Sequence, residues 1–141
     1  MVEIIRVKNE AEMKLVHDIR LEVFVAEQGV PVELELDDLD NEAIHVLAYV
    51  DGAPAGCGRL LLRGEEAKIG RVAVRKNMRK SGMGTGICKL LLSIAGDNGA
   101  SRINLDAQLT AADFYEKLGF AKKGEAFMEA GIEHIKMVKD I

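Results

Sequence analysis

Val72-Ala73-Val74-Arg75-Lys76-Asn77-Met78-Arg79-Lys80-Ser81-Gly82-Met83-Gly84-Thr85-Gly86 reads as a β-strand, then a basic loop, then a glycine-rich entry into a helix. That order builds an anion site. Glycines let backbone come close to a ligand, and the unpaired N–H groups at a helix start attract negative charge. Arg79 and Lys80 place cations where phosphates would lie. The plain alternative is a solvated turn followed by an ordinary helix start. Glycines at a helix entry cost stability unless something needs them, which favours the ligand reading.

Outward from this stretch, hydrophobic periodicity gives the rest of the fold. Ile87, Leu90, Leu91 and Ile94 continue the helix on one face. Upstream, Val2–Val7 is strand-like. Asn9 with Glu12 makes a capping box for a helix that runs to about Phe24, with Leu15, Val16, Ile19 and Val23 on one side. Ala43–Asp51, Ala55–Arg63 and Ala67–Val74 read as an antiparallel meander, with Asp51-Gly52 as a hairpin turn. Arg102–Ala107 is a further strand. Thr110 with Asp113 suggests an N-cap for a short helix over Ala111–Leu118, ended by Gly119. Phe120–Met128 and Ile132–Val138 form a closing hairpin. The order is β-α-β-β-β-α-β-α-β-β, a mixed α/β fold whose antiparallel pairs outnumber parallel ones. The acidic run Glu33-Leu34-Glu35-Leu36-Asp37-Asp38-Leu39-Asp40 reads as a mobile solvated loop, or as a wall that attracts a cationic substrate.

The 141 residues fit one domain over 1–141. A net charge of −4 argues against general nucleic-acid binding. No run approaches a membrane span, and Met1-Val2-Glu3-Ile4-Ile5-Arg6 lacks the order of a signal peptide, so a cytoplasmic protein is expected. Cys57 and Cys88 fit no CxxC spacing and read as buried free thiols; no metal set is evident.

Three phosphate ligands compete for the loop. A P-loop needs Gly-Lys-Ser/Thr, and here Gly86 precedes Ile87-Cys88. A dinucleotide fingerprint needs GxGxxG directly after a strand, and here the order is GxGxG at a distance from Val74. Coenzyme A fits better. Arg79, Lys80 and the backbone of Gly82–Thr85 would take its pyrophosphate. The edge of Val72-Ala73-Val74 would pair with its pantetheine amides as an added strand does.

On these residues the sequence resembles the GNAT family of N-acetyltransferases. The family's pyrophosphate motif is met by Arg79-Lys80-Ser81-Gly82-Met83-Gly84, and its second signature by Ala111-Ala112-Asp113-Phe114-Tyr115-Glu116-Lys117-Leu118-Gly119-Phe120. The N-terminal half is similar to the ElaA-like branch through Arg20, Val23-Phe24, Glu27-Gln28-Gly29-Val30-Pro31, Glu35, Asp37, Asp40 and His45, and so is Gly131–Met137. Gln108 stands where many members have asparagine.

The resemblance implies a GNAT fold, a central, mostly antiparallel sheet flanked by helices. It implies acetyl transfer from acetyl-CoA, without a metal, to a primary amine of a small molecule or peptide by direct attack. A homodimer is a candidate assembly. It also implies roles. Val72, Ala73, Val74, Arg79, Lys80, Ser81, Gly82, Met83, Gly84, Thr85, Gln108, Ala111, Phe114, Tyr115 and Lys117 would hold the cofactor. Tyr115 would be the general acid and Glu27 a base; Phe24, Gln28, His45 and His134 would face the acceptor. Each has a plain alternative: Tyr115 as a core aromatic, Glu27 as a surface charge or amine ligand, the histidines as structural. A binding module that senses CoA without turnover is the alternative for the whole chain.

Overall fold

The computed structural model describes residues 1–141. Its strands are β1 (Val2–Arg6), β2 (Ile44–Val50), β3 (Ala53–Arg63), β4 (Glu66–Val74), β5 (Arg102–Gln108), β6 (Ala121–Glu129) and β7 (Ile132–Asp140). Its helices are α1 (Glu10–Arg20), α2 (Val32–Glu35), α3 (Met83–Asp97) and α4 (Ala112–Lys117). The strands form a seven-stranded sheet in the order β1-β2-β3-β4-β5-β7-β6. Every pairing is antiparallel except β4–β5. The expected mixed α/β order holds, with α2 added between α1 and β2.

The alternation of β2 explains the two-sided core. Val46 and Ala48 point to the α3 face, where they pack with Leu60, Ile87, Leu91 and Ala95. Leu47 points the other way, to Val16, Ile19 and Val23 of the first helix, with Cys57 and Ala73. Gly58 of β3 sits directly under α3. A Cβ there would lie 2.8 Å from both Ile87 Cγ2 and Leu91 Cδ1, so the helix approaches as closely as it does because no side chain intervenes. Cys57 and Cys88 are buried and free, and desolvation pushes each thiol up to about 12.

Local signals act as expected at several points. The Glu12 amide donates to Asn9 Oδ1 at 2.8 Å, and the Lys8 amide to Glu12 Oε1 at 2.7 Å, a capping box at the start of α1. Asp51 (φ 49°) and Gly52 (φ 83°) make the tight β2–β3 turn.

Three expectations are corrected. The first helix does not stop near Phe24. It continues as a π-helical segment over Leu21–Glu27, because no breaker intervenes before Gly29, which leaves it at φ 75°. Thr110 does not cap α4. It lies inside a 3₁₀ turn, Leu109–Ala111, and Ala111 is the cap, with no side-chain hydrogen bond.

The third correction concerns the acidic run, which is not a solvated loop. It holds α2 and a 3₁₀ turn over Asp38–Asn41, and Glu35, Asp37 and Asp40 are tied to three arginines while Glu33 and Asp38 stay exposed. Buried Arg20 donates through Nε to Glu35 Oε1 (2.6 Å) and through Nη1 to Asp40 Oδ1 (2.8 Å). Arg59 Nη1 reaches Asp37 Oδ1 (2.8 Å) and Asp40 Oδ1 (3.0 Å). Arg71 Nη2 reaches Asp37 Oδ2 (3.2 Å). Desolvation on its own would leave these charges uncompensated; pairing them offsets it.

Candidate active site

The parallel ladder between β4 and β5 is short: Glu66, Ala67 and Lys68 pair with Arg102, Ile103 and Asn104. Beyond Lys68 the two strands separate, and the β5-facing edge of β4 from Ile69 to Val74 has no strand beside it. A cavity of about 660 Å³ opens in the gap, between Lys68–Val74 on one wall and Leu105–Gln108 on the other.

On its β3 side, β4 carries a bulge. Gly70 pairs with Arg59 and Ala73 with Cys57, so Arg71 and Val72 together face Gly58. Arg71 takes a left-handed conformation there (φ 51°). A non-glycine residue in this region is uncommon and marks a place where the surroundings dictate the backbone.

Past β4 the chain makes a 3₁₀ turn over Lys76–Met78, where Ser81 Oγ donates to the Met78 carbonyl at 2.8 Å. Lys80 (φ 66°) and Gly82 (φ 81°) are both left-handed and exposed. Gly82 is the cap of α3, and no side chain bonds to the helix start. The amides of Met83, Gly84 and Thr85 therefore remain for an external acceptor. Met83 contributes only its backbone, since its side chain is buried in the core. Gly84 lies against Phe114, with 3.3 Å between a built Cβ and Cζ, so the loop and α4 are in register.

Tyr115 stands between Phe114 and Phe120 in edge-on contacts, with ring centroids 5.0 and 5.9 Å away, and lines the cavity. Burial, helped by Cys88, raises its phenol above the usual range, so it stays protonated at neutral pH. Ala111 and Gln108 also line the cavity; Lys117 is exposed on α4. Gln108 Nε2 donates to Gln28 Oε1 at 2.8 Å, which joins the end of β5 to the segment after the first helix.

The acceptor-side residues divide. Phe24, Gln28 and His134 line the cavity. His134 Nδ1 is 2.7 Å from the Ile132 carbonyl, a contact that places the proton on Nδ1 and leaves Nε2 bare in the neutral ring. His45 lies elsewhere. It is buried behind the ion-pair network, with Nε2 3.0 Å from the Asp40 carbonyl, and does not line the cavity. Desolvation lowers its pKa and keeps it neutral.

Glu27 does not line the cavity either. Both of its oxygens are bound by Arg79, at 2.6 Å from Nη1 and 2.7 Å from Nη2, while Arg79 Nε donates to the Val74 carbonyl at 2.9 Å. The Arg79 hydrogen bonds hold the Glu27 carboxyl below its usual range. A carboxylate so paired is a weak proton acceptor.

Arg59 and Arg71 both line the cavity, and the sequence reading assigned neither. Arg59 carried a signal, since it is the one charge inside β3, whose other arginine, Arg63, stands at the strand's end. Arg71 carried none, because the bulge that turns it is a tertiary feature.

The family model for an acetyltransferase (GNAT) domain matches residues 8–141. The chain is 42% identical over 134 residues to the N-acetyltransferase YjcF of Bacillus subtilis (strain 168), covering 94% of this chain and 96% of that protein. The solved structure of an acyl-CoA N-acyltransferase from Pseudomonas aeruginosa superposes with a TM-score of 0.87 at 27% identity, over 99% of each chain. Escherichia coli ElaA superposes with a TM-score of 0.85 at 24% identity, over 99% of this chain and 100% of that one.

Proposed function

The chain belongs to the GNAT family of acetyltransferases, and on that premise we propose that it moves the acetyl group of acetyl-CoA directly onto a primary amine. The observation that carries this is the separation of β4 from β5 beside an uncapped helix start. The open edge of Val72–Val74 suits the pantetheine amides, which add to it as a strand would. The pyrophosphate suits the amides of Gly82–Thr85, with Lys80 and the outward N–H groups of Arg79 as cations and Ser81 beside them. Gln108, Ala111, Phe114 and Lys117 border the same cofactor from the β5–α4 side.

The amine nitrogen attacks the thioester carbonyl carbon, and a backbone N–H near Val74 stabilises the oxygen as charge develops. The carbon–sulfur bond then breaks, and Tyr115 gives its proton to the departing sulfur. A protonated phenol is the form this step needs. His134, which lines the cavity and whose Nε2 is 3.8 Å from Glu129 Oε2, takes the proton that the amine loses. Glu27 is better placed to orient Arg79 than to act as the base. Phe24 and Gln28 flank the acceptor.

Calorimetry with CoA, together with release of free thiol across a panel of amines, tests this reading. Thiol release that requires both amine and Tyr115 supports it. Tight CoA binding with no thiol release from any amine favours the sensing module instead.

A further inference from the structure

The acidic segment, expected to draw in cations, has its cavity-lining carboxylates Glu35 and Asp37 paired with arginine. Each carboxylate of the network is already engaged by arginine. Asp37 uses Oδ1 for Arg59 and Oδ2 for Arg71. Asp40 Oδ1 receives both Arg20 and Arg59. Glu35 Oε1 receives Arg20 and lies 3.2 Å from Arg71 Nε, while its Oε2 is sealed from solvent without a partner. Glu35 and Asp37, the network carboxylates that line the cavity, are thus bound by arginine; of the other lining carboxylates, Asp106 pairs with Lys68 and Glu129 Oε2 stands 3.8 Å from His134 Nε2.

The arginines, in contrast, are not fully used. Arg59 bonds only through Nη1. Arg71 bonds only through Nη2, to the Leu34 and Glu35 carbonyls and to Asp37. Arg59 Nη2 and Arg71 Nη1 have no protein acceptor; the Arg71 side chain is 26% exposed, whereas Arg59 is 5% exposed. Both residues line the cavity next to the Val72–Val74 edge. The network fixes their direction through Arg59 Nη1 and Arg71 Nη2, which are held by α2 and the residues after it, while the Nε of each is buried without a hydrogen-bond partner. Burial first, and the neighbouring Arg59 charge second, lower the pKa of Arg71, as expected of a site with cationic character to neutralise.

We infer that Arg59 and Arg71 form an oxyanion subsite, so that the amine accepted by this enzyme carries a carboxylate. The inference rests on the acetyl-transfer reading above and specifies its acceptor. Two adjacent guanidinium edges match a planar carboxylate, whose oxygens each take an N–H. Phe24, Val30, Leu34 and Leu39 line the same cavity and would cover an apolar body attached to it. The reacting amine is then placed by its own carboxylate rather than by an acidic wall.

The test uses CoA-loaded protein and matched probes: the N-acetyl derivatives of glycine, leucine, phenylalanine and glutamate, each against its carboxamide, by calorimetry. At least one acid should bind about tenfold or more tighter than its amide, the size of a charge-assisted hydrogen bond. Arg71→Gln should abolish that preference, and Arg71→Lys should retain part of it, with CoA affinity unchanged in both. If no acid outbinds its amide in the unmodified protein, the subsite is overturned without recourse to any variant. A parallel assay follows thiol release from the corresponding free amino acids and amino-acid amides. Equal turnover of both sets overturns the subsite and leaves acetyl transfer standing. Acid-selective binding that depends on Arg71, without thiol release from any amine, overturns the transfer reading and leaves the subsite.

Discussion

The two sides of the cleft are held by different forces. On the proposed donor side, the chain from Val72 to Thr85 is a strand edge, a turn and a helix start, shaped by backbone conformation and by amides that no side chain caps. On the acceptor side, Arg20, Arg59 and Arg71 are locked to Glu35, Asp37 and Asp40 in a largely buried network that draws on the first helix, the acidic segment, β3 and the β4 bulge. The donor side can present the same backbone groups to one invariant ligand. The acceptor side, built from side chains at several chain positions, can change specificity by changing one of them. Glu27 and Arg79 are the bridge, with one residue on each side.

That contrast can be broken by mutation, and the largest effect should come from the acceptor side. Arg20→Ala leaves Glu35 and Asp40 short of their shared cation in a site where Arg20 itself is fully buried. It should cost about 3–5 kcal/mol in urea unfolding. A cost near that of a surface substitution would mean the network is not structural. Tyr115→Phe should lower kcat about 100-fold while CoA affinity by calorimetry stays the same; unchanged turnover would remove the acid assignment. Arg79→Glu reverses the charge on the donor side. It should weaken CoA about 10- to 100-fold through lost charge-assisted contacts, with little change in urea unfolding. If it unfolds the protein instead, the bridge to Glu27 matters more than the cofactor.

Acid should act on the acceptor side selectively. Burial alone would raise the Asp40 carboxyl, but hydrogen bonds and charge from Arg20 and Arg59 overturn this and bring it down to about 2. A carboxylate lowered on folding contributes stability that is fully present above its unfolded value of 3.8 and is lost as pH falls through about 2. The thermal midpoint should therefore drop between pH 4 and pH 2, and Asp40→Asn should flatten that slope. Lys14→Ala sets the lower bound. Its exposed i,i+4 pair with Asp18 should be worth no more than about 0.3–0.5 kcal/mol.

Much of the fold was legible because its signals are short-range. The Asn9–Glu12 box, the Asp51-Gly52 turn and the apolar face of α3 each fall within a few residues, and the structure places each as the pattern implies. The extension over Leu21–Glu27 was not legible, since periodicity alone does not say where a helix without a nearby breaker ends. Thr110 carried a capping pattern, but the 3₁₀ turn put Ala111 at the cap. In the site, Tyr115, Phe24, Gln28 and His134 reach the cavity, while His45 and Glu27 do not, because Asp40 and Arg79 hold them elsewhere.

By itself, the sequence determined the glycine-rich loop into α3 and the order of elements. Glycines, a helix start and alternating apolar residues act on backbone and on neighbours within a few positions, and that information is written locally. Only the tertiary structure decided which charges are satisfied. Arg20 finds Glu35 at a separation of 15 residues, Arg71 finds Asp37 at 34 and Arg79 finds Glu27 at 52. Any carboxylate in the acidic run is chemically able to pair with any of these arginines. Packing α2 against the β4 bulge selects the partners, because a buried charge must be matched where it lies, and so it also decides which guanidinium edges are left unpaired.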